Sequence, residues 1–304
     1  MGVIINFHEV KDQVWLENNL CFLKERYNPV DLPELINSYN GKKELKSICH
    51  ITVDDGSKSF YDNIYPVLKK HKIPASIYVS PEIAINQGNF WFQEINGYEK
   101  QKLLKVFYEV TQINEKNINK ISIGDVMKFL KIDQIWEIIN RYKELYKPED
   151  KGCMNMSVNE LKEVEQSGLV TIGAHTLRHP ILANEEMSVA KNEIASSITS
   201  LADMLGHEIK YFAYPNGIPD FDFGQREMDI LKENGCESAF ATDSGDLSLQ
   251  TNLLRIPRYG LSNGDSISYT RLKIFSGSLW NTIVKIKPGN ELVDRRALLK
   301  IFTE

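Results

Sequence analysis

Residues 169–180 read LVTIGAHTLRHP. The first six are mostly apolar or β-branched, so they predict a short buried strand that ends at His175. His179 lies four residues further on, and Pro180 disfavours helical geometry at His179, so we expect a tight turn rather than a helix. Two histidines in one turn can bind a metal ion when a third ligand comes from elsewhere in the chain. The alternative is a pair of unrelated surface histidines.

A second polar cluster, Thr52-Val53-Asp54-Asp55-Gly56, follows another apolar segment, residues 47–53. Its Asp-Gly pair alone is an ordinary turn signal. Adjacent carboxylates at the end of a strand point in different directions, so one can bind a metal while the other takes a proton, and the metal relieves their repulsion. With the two histidines, one of these carboxylates completes a set of three protein ligands. Such a set leaves a coordination position for water, which is typical of a hydrolytic metal site and not of a closed structural one.

Short apolar segments alternate with helical patterns through most of the chain, which favours parallel strands joined by crossover helices. Strands are predicted at 3–7, 47–53, 75–79, 169–174, 209–213 and 238–242, and helices at 60–71, 157–167, 185–205 and 224–234. His8, the two aspartates, His175 and the pair Tyr214-Pro215 each come just after a strand. In an α/β barrel those strand ends form the face where active sites lie, so we expect these residues to meet there.

Two segments do not follow this alternation. Residues 86–156 are rich in Asn, Lys and Ile, with helical patterns near 99–112 and 124–146, and we predict a helical insertion there. From about residue 265 to 304 the pattern weakens, and no fold is assigned to this tail. A chain of 304 residues fits one large α/β barrel or two ordinary domains. We predict a single domain over 1–304 that contains the insertion.

The composition is that of an ordinary globular protein, with 42% hydrophobic residues, 25% charged residues and a formal net charge of −5. This charge gives no global attraction to nucleic acid or to anionic membranes, so neither is an expected partner. The 4 cysteines form no CxxC pair and are expected to be reduced. The start, MGVIINFHEVKDQ, lacks the features of a secretory signal, and no apolar run reaches the ~18 residues of a membrane span. We therefore expect a cytoplasmic protein, unless a signal has been removed.

The two polar clusters resemble a known family. TVDDG is similar to the TFDDG signature, and HTLRHP to the H(S/T)xxHP signature, of polysaccharide deacetylases (carbohydrate esterase family 4, the nodulation-factor deacetylase homology domain). The resemblance covers roughly residues 1–85 and 155–260. It implies a distorted (β/α) barrel that removes N- or O-linked acetyl groups from sugars. It also implies one divalent metal ion as cofactor, which we expect to be zinc, with cobalt, nickel and manganese as alternatives.

The resemblance assigns a role to each residue of these clusters. Asp54 would be the general base of the reaction. Asp55, His175 and His179 would be the metal ligands. These roles follow from matching positions in the family's motifs.

Residues 211–217, YFAYPNG, resemble the family's third motif. In the family, the backbone N–H after the proline helps to bind the oxyanion, and that residue is Asn216 here. Asparagine stands where the family usually has tyrosine, so a backbone donor is kept and a side-chain contribution is not. Tyr214 is a further candidate for substrate binding. The alternative for this stretch is an ordinary turn containing proline.

His8 is the candidate general acid. Most family members carry this histidine in a Leu-x-His motif near the C-terminus, but this chain has no histidine after His207. Circularly permuted members begin instead with a strand that ends in Tyr-His, and residues 5–10, INFHEV, resemble that version. A surface histidine at a strand end is the alternative for His8. His50 and His71, like His207, are expected to have structural roles.

Two departures from the family pattern limit the comparison. The Asp-rich motif with a tryptophan, which normally orients the base, is not recognisable, and the arginine that opens the third motif is missing. Arg255 and Arg258 follow another predicted strand; they either pair with Asp54, bind an acidic group of the substrate or lie on the surface. Trp91, within the run Phe90-Trp91-Phe92, is a candidate platform for a sugar ring, although packing is the usual role of such aromatics.

These residues predict a metal-dependent hydrolase that removes an N-acetyl group from an N-acetylated sugar during synthesis of a surface polysaccharide, such as O-antigen or capsule. In a cytoplasmic protein, a nucleotide-linked or lipid-linked precursor is the expected substrate, and an oligomeric sugar is a further option. Two alternatives stay open. One is a catalytically silent carbohydrate-binding protein, and the other is a metal hydrolase of another acyl or small amide group, similar to a deformylase.

Overall fold

The computed structural model describes residues 2–43, 45–113, 116–277, 279–280 and 290–303. In these residues one sheet is formed by β1(Gly2–Phe7), β2(Asn28–Pro29), β3(Ile48–Val53), β4(Ala75–Val79), β5(Val170–Ala174), β6(Tyr211–Ala213), β7(Ser238–Phe240), β8(Asp246–Leu247) and β9(Tyr259–Gly260). Its order is β7-β6-β5-β4-β3-β1-β8, with β2 also paired to β3 and β9 to β1. Only the short β8 runs antiparallel to its neighbour. The sheet curls into a half-barrel, which confirms the predicted α/β class and distorted barrel.

The register of the strands places their carboxyl ends at one edge. Phe7 of β1 is the partner of Val53 of β3, and Val79 of β4 is the partner of Ala174 of β5. Each of these four residues ends its strand, and all four are buried in or beside the central core. The residues that follow them in the chain therefore meet at the same edge of the sheet. This is the convergence that the sequence predicts.

Helices pack against the sheet and also form the segment predicted as an insertion. Their bounds are α1(Gln13–Arg26), α2(Leu32–Asn40), α3(Tyr65–His71), α4(Pro81–Asn86), α5(Trp91–Ile95), α6(Lys100–Thr111), α7(Ile123–Met127), α8(Ile132–Tyr146), α9(Val158–Gln166), α10(Met187–Leu205), α11(Gln225–Glu233), α12(Ile267–Phe275) and α13(Asn290–Thr303). A π-helical turn, Phe60–Ile64, precedes α3. A capping box begins α9, because Ser157 and Glu160 exchange side-chain to backbone hydrogen bonds. The helices α1 and α2 were not among the predicted elements.

The segment predicted as an insertion contains helices α5 to α8 in its described part. Helices α5 to α8 pack around their own apolar cluster, which is separate from the core beneath the sheet. The described part of the C-terminal tail is also helical, since it contains α12 and α13; residues 278, 281–289 and 304 lie outside the described residues. Leu298 of α13 is buried in the cluster of the insertion. None of the described helices is long and apolar enough to cross a bilayer.

Candidate active site

Asp55, His175 and His179 converge at the carboxyl edge of the sheet, and one ligand atom from each lies within 4.8 Å of the others. The Oδ1 atom of Asp55 is 3.5 Å from Nε2 of His175 and 3.5 Å from Nε2 of His179. Tetrahedral ligands about 2.1 Å from an ion lie about 3.4 Å from one another. The spacing therefore fits a single metal ion bound by these three side chains.

The fold fixes the imidazole of His175 and the backbone of His179. Nδ1 of His175 donates a hydrogen bond to the carbonyl oxygen of Ala213 at 2.7 Å, so that Nε2 carries the lone pair that faces Asp55. The expected tight turn is present, because Thr176 and His179 have φ angles of 62° and 61°. The backbone N–H of His179 donates to Oγ1 of Thr176 at 3.0 Å, and its carbonyl oxygen accepts from Nε1 of Trp91 at 3.1 Å. The second ligand is thus held by its own turn and by the insertion.

The electrostatics of this cluster favour a cation between the three groups. Burial lowers the pKa of His179 to about 3, so its imidazole is neutral at ordinary pH, as a metal ligand must be. Burial raises the pKa of Asp55, but the three neighbouring histidines outweigh it and hold this pKa well below its usual range. The donor set is one carboxylate oxygen and two imidazole nitrogens. It fits zinc and related divalent ions, with room for water as a further ligand.

Asp54 lies beside the metal ligands and is buried, with 2% of its surface exposed. The guanidinium of Arg258 donates to both carboxylate oxygens, from Nη1 to Oδ1 at 2.8 Å and from Nη2 to Oδ2 at 2.7 Å. Nδ2 of Asn6 donates a third hydrogen bond, at 3.1 Å. Burial raises the pKa of Asp54, but Arg258 and His175 outweigh this effect and keep the pKa below its ordinary value. The carboxylate is therefore ionised and fixed in orientation, as a general base requires.

His8 lies on the solvent side of Asp54. Its side chain is 53% exposed, and its Nε2 atom is 3.7 Å from Oδ2 of Asp54. It also lines the cleft together with Asp55. A histidine with access to solvent, next to the carboxylate and beside the ligands, can exchange protons with a substrate bound in the cleft.

The loop after β6 brings Asn216 to the same cleft. Asn216 lines the cavity that also contacts Asp55 and His179. Its backbone is left-handed, with φ 57°, and Gly217 follows with φ 65°. A side chain at Gly217 would meet the carbonyl oxygen of Tyr214 at 2.9 Å, so glycine is required there. The sharp turn is what carries the backbone of Asn216 toward the metal ligands.

Two adjoining cavities form the cleft. The larger has a volume of 810 Å³ and the smaller 370 Å³, and His8, Asp55, Phe92 and Gly124 line both. Much of the wall comes from the insertion, which contributes the following lining residues: Phe92, Gln93, Tyr98, Ser122, Ile123, Gly124, Asp125 and Lys128. The segment predicted as an insertion therefore lines the same cleft as the candidate metal ligands. The sequence pattern did not indicate this role, because periodicity shows that helices form and not where they dock.

Three of the residues predicted to bind substrate are buried and make contacts within the protein. Arg258 is fully buried beneath Asp54, so of the alternatives left open by the sequence its pairing with Asp54 is the one observed. Tyr214 is 1% exposed; its ring stacks on Phe223 at 3.5 Å and its hydroxyl donates to the carbonyl oxygen of Leu254. Trp91 is also 1% exposed and supports the backbone of the metal-binding turn. The burial of these three side chains does not favour direct contact with a substrate, although Trp91 also lines the smaller cavity, so their substrate binding stays a prediction.

Comparison with known proteins identifies the family. A family model described as polysaccharide deacetylase matches residues 41–239, more than half of the chain. The chain belongs to the polysaccharide deacetylase family. It is similar in structure to a deacetylase from Streptococcus pyogenes, PplD, solved in complex with acetate, with 16% identity, a TM-score of 0.59, and 89% of this chain and 96% of that chain covered. No protein of curated function matches it.

Two further solved structures are similar to this polysaccharide deacetylase. IcaB from Ammonifex degensii has 17% identity and a TM-score of 0.60, with 92% of this chain and 96% of that chain covered. A de-N-acetylase from Aggregatibacter actinomycetemcomitans has 17% identity and a TM-score of 0.56, with 89% and 98% covered. At these identities the likeness shows a shared fold. Polysaccharide deacetylases of carbohydrate esterase family 4 generally use a divalent metal, and the site described above fits one.

Proposed function

We propose that this polysaccharide deacetylase is a metal-dependent hydrolase that removes N-acetyl groups from an N-acetylated glycan. The observation that carries the proposal is the pairing of three convergent metal ligands with an adjacent, arginine-bound carboxylate, Asp54, next to two cavities that Asp55 lines. Family membership supports deacetylation of polysaccharide. The relatives described as a deacetylase bound to acetate and as a de-N-acetylase support the choice of an acetyl group and of an amide bond.

Each residue has a defined task in this proposal. A divalent ion held by Asp55, His175 and His179 would supply Lewis-acid polarisation of the acetyl carbonyl and a lower pKa for water. Asp54 accepts the proton of the attacking water, since both of its oxygens are already oriented by Arg258. The N–H of Asn216 donates to the carbonyl oxygen as negative charge develops on it. His8 protonates the leaving amine, and the products are acetate and a free amino sugar.

The charged side chains that line the cleft help to decide whether the substrate sugar is linked to a diphosphate or belongs to an oligomer. Among the residues that the structure describes, two lysines line the cleft, and both are paired with carboxylates: Lys58 with Glu160, and Lys128 with both Asp125 and Glu291. A diphosphate that enters a protein site loses hydrating water and needs unpaired cationic side chains to bind it instead. Because these lysines are already paired, they favour a neutral sugar. We therefore propose an oligomeric N-acetylated glycan as the substrate, in place of the nucleotide-linked or lipid-linked precursor expected from the sequence.

Release of acetate from a panel of N-acetyl sugars tests the proposed function. We expect release from neutral N-acetylglucosamine oligomers, little release from nucleotide-linked sugars, and loss of release with a chelator, because the metal ligands would be left empty. Added zinc or cobalt should restore it. Binding of oligomers without acetate release, in the presence of metal, would instead indicate a silent carbohydrate-binding protein. Release of formate or another acid, and not of acetate, would indicate a different acyl hydrolase.

His8→Ala tests the assignment of the acid near the N-terminus, as in the circularly permuted members. We expect kcat for an N-acetyl sugar to fall about 10²-fold, because an amine cannot leave without a proton. An aryl acetate has a leaving group that departs as an anion, so its hydrolysis should fall less than about threefold, well below the general acid–base contribution. His207→Ala is the matched control, since His207 pairs with Glu165 away from the cleft. An equal fall in kcat on the N-acetyl sugar and on the aryl acetate would show that His8 is not the general acid.

A further inference from the structure

A buried chain of polar contacts runs from the C-terminal helix α13 to the loop of Asn216. Nη1 of Arg295, on α13, lies 2.6 Å from Oδ1 of Asp222. The other oxygen of Asp222, Oδ2, accepts hydrogen bonds from Nδ2 of Asn216 at 2.7 Å and from the backbone N–H of Ile218 at 2.7 Å. One carboxylate therefore ties a residue at the cleft to a helix close to the end of the chain.

The two charged side chains in this row of contacts, Arg295 and Asp222, are buried. The side chain of Arg295 is 2% exposed and that of Asp222 is 0% exposed. The guanidinium of Arg295 lies 5.7 Å from the ring of Phe129 and 5.4 Å from that of Phe221, so aromatic rings hold it in place. Loss of either partner of a buried ion pair leaves an uncompensated charge. The carboxylate of Asp222 thus depends on Arg295.

The loop requires such support. Asn216 has a left-handed backbone, which a residue other than glycine adopts at a cost and keeps only when its surroundings impose it. Asp222 binds both the side chain of Asn216 and the backbone two residues later. On the other side, Oγ1 of Thr242 donates to the carbonyl oxygen of Asn216 at 2.8 Å. These contacts hold the side chain and the carbonyl group of Asn216, the residue whose N–H is proposed to bind the oxyanion.

We infer that Arg295 is a positioning residue of the active site, which acts through Asp222 to hold the Asn216 N–H toward the reacting carbonyl. This inference rests on the proposed function, in which that N–H stabilises the oxyanion. It extends the functional apparatus to α13, which lies outside the residues 41–239 matched by the family model. Glu291 of the same helix pairs with Lys128, a lining residue of the smaller cavity, so α13 contacts the site at two points.

The test is Arg295→Met, with Arg296→Met as the matched control on the exposed face of the same helix. We expect Arg295→Met to lower kcat about 10-fold, a part of the 10²–10³ that complete loss of an oxyanion donor costs. KM and the affinity for zinc should stay within about twofold, because the substrate walls and metal ligands are unchanged. Amide hydrogen exchange of Asn216, Gly217 and Ile218 should become faster. Arg295→Lys, which keeps the charge, should recover part of both effects, and Arg296→Met should behave as wild type.

Hydrogen exchange keeps the inference testable whether or not the wild-type protein releases acetate. If the wild type were inactive, the proposed function would fail, and faster exchange confined to residues 216–218 would still support positioning by Arg295. Unchanged exchange at these amides in Arg295→Met would overturn the inference. Acceleration spread evenly over the whole chain would also overturn it, because Arg295 would then act only on global stability. If Arg295→Met does not fold, the same comparison is made with Arg295→Lys.

Discussion

Asp54→Asn is expected to lower kcat for acetate release about 10³-fold, within the range that a general base contributes. Asparagine has nearly the same shape and keeps an oxygen that can accept from Arg258, but it cannot take a proton from water. The three metal ligands are separate side chains, with Asp55 pointing to the histidines and Asp54 to the arginine. Binding of zinc or cobalt, measured by titration, should therefore change less than about threefold, which is about 0.7 kcal/mol, because all three ligand side chains are kept.

Asp55→Asn is the companion variant, because it changes the adjacent carboxylate in the same way. It should lose both metal binding and turnover, since one of three protein ligands becomes a weak neutral donor. If Asp54→Asn loses turnover but still binds metal, Asp54 is distinguished from the metal ligand Asp55. A fall of less than about 10-fold in Asp54→Asn, below the usual contribution of acid–base catalysis, would move the base role to another group, and His8 is the nearest candidate.

The placement of the site could be predicted because it depends on local features of the sequence. Short apolar strands can be recognised directly in the sequence. Because these strands are parallel and in register, the polar residues just after Phe7, Val53 and Ala174 lie at the same edge of the sheet. The tight turn at His179 followed from the proline behind it. These inferences did not require knowing how deeply a side chain is buried or which distant residues it contacts.

The depth of the side chains could not be predicted in the same way. Arg258 was one of two arginines beside a predicted strand, and its partner Asp54 is 204 positions away in the chain. Nothing local distinguishes it from Arg255, which is partly exposed and lies 3.5 Å from Asp220. Tyr214 follows a three-residue strand, and neighbouring side chains at a strand end face opposite sides, so a shift of one position decides between cleft and core. The ion pair between Arg295 and Asp222 could not be predicted for the same reason, since the two residues are far apart in the sequence.

Arg258→Met should produce the largest loss of stability among these variants. Removing the guanidinium leaves the carboxylate of Asp54 buried without its counterion, and breaking a buried pair from one side costs about 3–5 kcal/mol in the free energy of unfolding. Methionine fills much of the space of the arginine stem, so the effect reports charge more than volume. We expect kcat to fall about 10²-fold as well, because the base is no longer held in one orientation. Chemical denaturation and acetate release measure the two effects.

Arg255→Met is the matched control, three positions away and on the surface. Its pair with Asp220 is exposed, and such pairs contribute about 0–1 kcal/mol, so both stability and kcat should stay close to wild type. The double variant Asp54→Asn with Arg258→Met removes both charges, and it should be more stable than Arg258→Met alone because no buried charge is left unpaired. If Arg258→Met were instead as stable and as active as Arg255→Met, the neighbouring metal would have to be the counterion of Asp54. The base would then be oriented by the metal site itself, and Arg258 would contribute packing only.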